Sequence, residues 1–359
     1  MGDTDEILFG RKDGLAVLTI NRPQALNALT LANYRRIDPA LRAWATDPSV
    51  HAVVVRGAGD RAFCAGGDVR AVYEAGRGIS GDPDLTAVFF REEYELIRRI
   101  HHFPKPYIAI TDGITMGGGA GVSVNGAYRI ATERTLFAMP ETGIGLFPDV
   151  GATRFLNRCP GHVGRYLGLT GMRLNAADAL YSGFATHFVT PEEIDPLMAA
   201  LAGTKADHSG IDAILERHAI DPGAAPLASL RPAVDRCFAG DTVEAILDAL
   251  AVEAAGGGAD AEWADETRAT LLTKSPTSLK ITLRQLTIGR NYDLEAALAL
   301  EYRLTQRVMA AHDFYEGVRA MLIDRDRKPQ WRPATLAKVG DSMVDAYFAP
   351  IGDRELRFD

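Results

Sequence analysis

Cysteine is scarce in this 359-residue chain: only Cys64, Cys159 and Cys237 occur. Three scattered thiols build neither a disulfide framework nor a zinc site, and such sparing use suits a reducing cytoplasm. Long apolar runs are missing too, so no segment offers a membrane-spanning helix and no membrane partner is expected. The first residues, "MGDTDEILFG", are acidic and lack the basic and apolar stretches of a secretory signal or organellar leader. A cytoplasmic location is the expectation from these absences. Positive charge is also in short supply. The formal net charge is -8, from 39 Lys and Arg against 47 Asp and Glu, which argues against nucleic acid as a partner. An anionic ligand would need local cations or backbone N–H groups.

Familiar catalytic signatures are absent as well. There is no Gly-Lys pair, which excludes a P-loop. "GAGDRA" (57–62) imitates a dinucleotide fingerprint, but "FCAGG" interrupts the helix that should receive a pyrophosphate. "GVSVN" (121–125) lacks the last glycine of a nucleophile elbow. The eight histidines show no metal-ligand spacing, so no metal is expected, and His312 reads as structural beside a helix cap.

What is present is an alternation of strands and helices in the first half. "LAVLTI" (15–20), "HAVVVRG" (51–57) and "YIAI" (107–110) read as strands. Leu31, Tyr34, Ile37, Leu41 and Trp44 form a helical stripe containing Pro39, which predicts a kink or a late start. Leu85, Phe89, Leu96 and Ile100 mark another helix. The fold class is therefore α/β with a layered sheet. From Pro191 to about Ile323 the pattern turns helical, so residues 1–190 read as the core bearing the active site and 191–359 as a mainly helical C-terminal region. Ser275 is predicted as an N-cap ahead of Pro276, and Asp313 with Glu316 as a variant capping box.

Two glycine clusters each follow a strand: "FCAGGDV" (63–69) and "ITMGGGAG" (114–121). Glycine lets backbone approach a ligand closely. Two such turns converging on one point would aim two N–H groups at one carbonyl oxygen, an oxyanion hole. Either cluster taken alone reads equally as a tight, closely packed turn. With no histidine or metal chemistry in view, carboxylates are the available acid–base groups. Glu141 and Asp149 each abut a proline in "MPETGIGLFPDVG" (139–151), an otherwise apolar and glycine-rich stretch. One alternative is capping: Glu141 ahead of a turn, Asp149 as N-cap for a helix through Arg154 and Leu156. In "FFREEYELI" (89–97), Glu92 and Glu93 flank an apolar stripe on opposite sides, and periodicity does not say which turns inward.

Taken together, "NRPQALNAL", "FCAGGDV" and "GITMGGGAG" resemble the early loop and the two oxyanion loops of the crotonase, or enoyl-CoA hydratase/isomerase, superfamily, in the right order. "KPYIAITDGITMGGGAGVSV", "TLFAMPETGIGLFPDVGATRFL", "SPTSLKITLRQL" and "HDFYEGVRAMLIDRD" resemble its 3-hydroxyisobutyryl-CoA hydrolase branch. The similarity runs from about Ile7 to Pro333.

The resemblance implies a spiral of ββα turns with C-terminal helices packed over it, and an acyl-CoA substrate. By motif position it implies Gly67 and Gly118 as oxyanion donors and Glu141 and Asp149 as catalytic, substrate-contacting carboxylates. It also selects Glu93 as the acid lining the acyl pocket. Pantetheine would run along the backbone near Ala25, Ala65 and Gly66, with Arg22 as candidate contact for a phosphate. No cofactor is implied, since coenzyme A is part of the substrate. The resemblance leaves room for a homo-oligomer.

One departure separates branches. Hydratases carry a glutamate two residues after "GGG", and here that position is Gly121. Losing one of two acid–base groups removes much of a hydratase's rate. The expected reaction is therefore hydrolysis of a short branched 3-hydroxyacyl-CoA, 3-hydroxyisobutyryl-CoA above all, in valine breakdown. Glu141 would act as base for water or as nucleophile. The competing expectations are an enoyl-CoA hydratase or isomerase using Glu141 alone, and an acyl-CoA-binding protein without turnover.

Overall fold

The computed structural model describes residues 5–82, 84–203 and 207–358. The chain adopts the expected α/β architecture of repeated ββα turns, followed by a helical C-terminal region. A six-stranded sheet has the order β1-β2-β3-β5-β7-β9, from Ile7–Lys12, Leu15–Ile20, Ala52–Gly57, Tyr107–Thr111, Tyr128–Ala131 and His187–Phe188. A three-stranded sheet has the order β4-β6-β8, from Ala62–Cys64, Ile114–Met116 and Leu136–Ala138.

The strand numbers describe the spiral. Each pass places one strand in the large sheet, the next in the small sheet, then a helical turn: β3, β4, helix; β5, β6, helix; β7, β8, 3₁₀ turn. β1 and β2 are antiparallel across Asp13–Gly14, both at positive φ, as a two-residue hairpin requires. The remaining pairs in the large sheet are parallel. Parallel strands covered on both faces need apolar side chains on both, which is why "VVV" and "YIAI" do not alternate.

The chain divides into two compact units, neither of them a single stretch: 1–68, 92–137 and 173–225 form the first, and 69–91, 138–172 and 226–359 the second. In the first, Val54, Ile108, Ile110 and Ile130 on one sheet face pack with Leu197 and Leu201 of the helix Ile194–Ala202 and Ile211 and Leu215 of the helix His208–His218. Each such side chain contributes about 1.5–3 kcal/mol when fully buried.

The helix Leu31–Thr46 begins well before Pro39 and continues past it, without the predicted late start. Thr30 caps it with a full capping box: its Oγ1 accepts from Asn33 N at 3.2 Å, and Asn33 Oδ1 accepts from Thr30 N at 2.9 Å. In the second unit Ser275 caps the helix Pro276–Ile288 as expected. Asp313 does not cap its own helix. Its carboxylate accepts instead from Ser275 Oγ at 2.6 Å and from Arg332 N at 2.8 Å, tying three segments together. Tertiary partners outcompeted the local capping pattern there. No helix among the described residues is long and apolar enough to cross a membrane.

Candidate active site

The two glycine loops end adjacent strands, β4 and β6, of the small parallel sheet. Gly67 sits in a one-residue parallel bridge with Leu29. The bridge is made by Gly66 O accepting from Leu29 N at 2.9 Å and by Asp68 N donating to Leu29 O at 2.8 Å. In a parallel bridge the middle residue's own N–H points the other way, so Gly67 N faces away from Leu29. Gly118 is on that side: a Cβ added to Gly118 would lie 3.0 Å from Gly67 N. Gly118 is also the first residue of its helix, where a backbone N–H has no intrahelical acceptor. Gly67 and Gly118, whose N–H groups are expected to form an oxyanion hole, thus lie next to each other.

The early loop braces this arrangement. Leu26 and Asn27 both have positive φ, and Asn27 is completely buried. Asn27 Nδ2 donates to Ala58 O at 2.9 Å and Ala62 O at 2.7 Å, which holds the loop against the start of β4. Ala65 N donates to Leu26 O at 3.0 Å, so the turn ending at Ala25 lies beside Ala65 and Gly66, the proposed pantetheine track. Arg22 takes a different role from the one expected. Its guanidinium pairs with Glu6 at 2.8 Å and Asp68 at 3.2 Å and donates to Ala28 O at 2.6 Å. It is held inside the loop rather than presented to a phosphate.

The ambiguity between Glu92 and Glu93 resolves on one helix, Leu85–His101. Glu92 turns outward and receives Arg35 at 2.7 and 2.8 Å. Glu93 turns inward, is 2% exposed, and accepts a 2.5 Å hydrogen bond from the Tyr34 hydroxyl. A Cβ on Gly118 would lie 2.6 Å from Glu93 Oε1 and 2.9 Å from Tyr34 Oη. Glu93 therefore borders Gly67 and Gly118, and any side chain at 118 would have to push Glu93 and Tyr34 aside. The Cys64 thiol is buried behind this loop, and burial pushes its pKa up to about 12, with the charge of Glu93 adding to the rise. It is a packing group, not a nucleophile.

Glu141 and Asp149 belong to the second unit and are 5% and 4% exposed. Neither serves as the helix cap that was the alternative for it. Glu141 opens the 3₁₀ turn Glu141–Ile144, which Gly145 closes at φ +72°. A Cβ on Gly145 would lie 2.1 Å from Asp313 O, so glycine is required where this turn meets Asp313. The short helix after Asp149, Ala152–Phe155, is capped by Gly151 with no side-chain contribution.

Three buried side chains fix the backbone just after Asp149. Val150 adopts φ +58° and Gly151 φ +92°. A β-branched residue at positive φ costs about 1–3 kcal/mol and persists only where its surroundings impose it. Glu301 Oε2 accepts from Gly151 N at 2.7 Å, and its Oε1 accepts from Thr153 N at 2.8 Å and Thr153 Oγ1 at 2.7 Å. Gln285 Nε2 donates to Pro148 O at 2.7 Å and Thr153 Oγ1 at 2.8 Å. Glu301 and Gln285 are both fully buried. Burial pushes the Glu301 pKa up to about 8, the Gly151 and Thr153 donors act against this, and the charge of Asp149 adds to it.

Sequence reasoning missed Tyr34, Asn27, Gln285 and Glu301 as supports. For Glu301 a signal existed. Leu294, Ala297, Leu298, Glu301, Thr305 and Val308 recur at helical spacing, so an acid stands on a buried stripe. An acid there requires partners.

A family model described as enoyl-CoA hydratase/isomerase matches residues 15–348. The chain is 46% identical over 358 residues to the mitochondrial 3-hydroxyisobutyryl-CoA hydrolase of Danio rerio, covering 98% of this chain and 91% of that one. The proteins of the same name from Xenopus laevis and Homo sapiens are 47% and 43% identical, covering 95% and 99% of this chain and 88% and 91% of theirs. A solved structure described as a carnitinyl-CoA dehydratase from Mycobacterium thermoresistibile matches with a TM-score of 0.91 at 41% identity, over 99% of both chains. One described as an enoyl-CoA hydratase from Rhodobacter sphaeroides 2.4.1 matches at 0.87 and 40%, over 99% of this chain and all of that one. The relatives named as hydrolases are named as mitochondrial, which overturns the cytoplasmic expectation. Buried free thiols report only surroundings that keep thiols reduced, not which compartment provides them. A family match over most of the chain, relatives alike along nearly its whole length, and two strand-end glycine loops in register give one answer: this chain belongs to the enoyl-CoA hydratase/isomerase family.

Proposed function

We infer that the protein hydrolyses a short branched 3-hydroxyacyl-CoA thioester, 3-hydroxyisobutyryl-CoA in the first place, to the free acid and coenzyme A. The carrying observation is Gly121. The helix Gly118–Val124 keeps the donor glycine and has no side chain at the position where hydratases hold an acid. The names of the curated relatives support the same reaction.

In this reading the thioester oxygen lies between Gly67 N and Gly118 N, which stabilise the negative charge as the carbonyl carbon becomes tetrahedral. Losing one such donor costs about 3 kcal/mol of barrier. Glu141 either takes a proton from water as it attacks or attacks the carbonyl carbon itself, giving a mixed anhydride that water then opens. Coenzyme A leaves as the thiolate and takes up a proton. Asp149 holds the water or the substrate's 3-hydroxyl, and Glu93 lines the acyl pocket. Pantetheine follows the backbone at Ala25, Ala65 and Gly66. The product fits valine breakdown. A homo-oligomer belongs to the same reading, and a mass measurement in solution reads it directly.

The test is steady-state release of free thiol from 3-hydroxyisobutyryl-CoA. Glu141→Gln is expected to abolish most of it, and a variant near wild type sinks the assignment. The solved structures described as a dehydratase and a hydratase motivate a second reading, hydration by Glu141 alone. Loss of crotonyl-CoA absorbance without free coenzyme A would favour that one.

A further inference from the structure

We propose that Glu301, with Thr153 and Gln285, is a positioning device for Asp149: it imposes the left-handed turn that aims this carboxylate, and it acts on the reaction only through that turn. The proposal rests on the role given to Asp149 above.

Four observations carry it. Val150 and Gly151, the two residues after Asp149, both have positive φ, at +58° and +92°. Valine does not choose that conformation, so something must hold it. The holding groups are Glu301, Thr153 and Gln285. Oε2 of Glu301 takes Gly151 N, and Oε1 takes both donors of Thr153. Gln285 Nε2 grips the other side, through Pro148 O before Asp149 and Thr153 Oγ1 after it. Asp149 is therefore bracketed on both sides by hydrogen bonds anchored in the helices Pro276–Ile288 and Leu294–Val308. Finally, an ionisable group on the apolar stripe of a helix is unfavourable for packing alone. Leucine or methionine at 301 would fill the same volume, so packing does not explain an acid with three donors converging on it.

A group that only stabilises the fold would lower the rate of any background equally. A group that acts through Asp149 would not. The experiment is a double-mutant cycle in the full chain, reading kcat and KM for thiol release, with thermal unfolding as the check on folding. Glu301→Met keeps the volume and offers no acceptor. Thr153→Val keeps the shape and removes only the hydroxyl shared by Glu301 and Gln285, and it carries the same comparison if Glu301→Met does not fold. The expected result is a kcat lowered about 10- to 100-fold with KM within about threefold, as for misplacement of a reacting group. In the Asp149→Asn background the same substitutions are expected to change kcat less than about twofold. Equal losses in both backgrounds, or an unchanged kcat in a folded variant, overturn the positioning role. If Asp149→Asn alone leaves thiol release unchanged, the role of Asp149 itself fails, and the positioning role falls with it.

Discussion

The Tyr34 hydroxyl donates a 2.5 Å hydrogen bond to Glu93 Oε1, between two helices and with both side chains almost wholly buried. The pair borders Gly118, so Tyr34 fixes the orientation of the Glu93 carboxylate beside that glycine.

Tyr34→Phe keeps the ring and deletes the donor. Removing one partner of a buried polar pair costs about 1–3 kcal/mol of stability. Freed from Tyr34, Glu93 no longer presents a fixed polar wall. The variant is expected to discriminate less between 3-hydroxyisobutyryl-CoA and isobutyryl-CoA. The ratio of the two kcat/KM values checks this, and an unchanged ratio would remove Glu93 from the acyl pocket.

Gly118→Ala places a methyl group 2.6 Å from Glu93 Oε1, 2.9 Å from Tyr34 Oη and 3.0 Å from Gly67 N. The first two are side-chain ends that can shift, and the third is backbone. The Gly67 backbone must therefore give way slightly, which displaces its N–H relative to Gly118. A kcat loss of about 100-fold or more is expected, on the scale of losing one oxyanion donor. Over-packing adds about 1–3 kcal/mol of destabilisation, read by denaturant unfolding.

Glu301 makes stability depend on pH in an unusual direction. Burial is the main reason its pKa rises to about 8 from an ordinary value of 4.5. Between these two values the folded chain holds a proton that the unfolded chain has released. Stability from this group is thus fully present below about pH 4.5 and is lost as the pH rises through about 8. Glu301→Gln has the same size and no titrating proton. The Tm lead of wild type over this variant is expected to shrink steadily from pH 5 to 9, in thermal scans at matched ionic strength. A lead that grows with pH would contradict the assignment.

Much of this was legible in the sequence, for a physical reason. Strands covered on both faces leave unbroken apolar runs, and glycine clusters following strands mark close backbone approach, so β3, β5 and both glycine loops could be read directly. Periodicity could not tell Glu93 from Glu92, because a helical wheel does not show what lies across the helix; the resemblance selects Glu93, and Arg35 on one side and Tyr34 on the other show that it is the acid that turns inward. Asp313 read as a cap because its local pattern was right. Ser275 and Arg332, distant in sequence, hold its carboxylate instead. The family resemblance makes Arg22 a candidate phosphate contact, yet Glu6 and Asp68 pair with its guanidinium. Local chemistry was readable throughout. What was not readable was the identity of long-range partners, since these depend on how the elements assemble.

The order β4-β6 in the small sheet has a consequence for how such chemistry can change. Neighbouring parallel strands lie about 4.8 Å apart whatever their side chains. Gly67 and Gly118 lie just beyond the ends of these two strands, so their separation follows largely from backbone pairing rather than from their neighbours' side chains. The acids are different. Gly121 stands where the resemblance places a glutamate in hydratases, three residues along the same helix from Gly118. If the two glycines hold the carbonyl oxygen as proposed, changing the carboxylates around them would change the reaction, from adding water across a double bond to cutting a thioester, without rebuilding the backbone that binds the substrate.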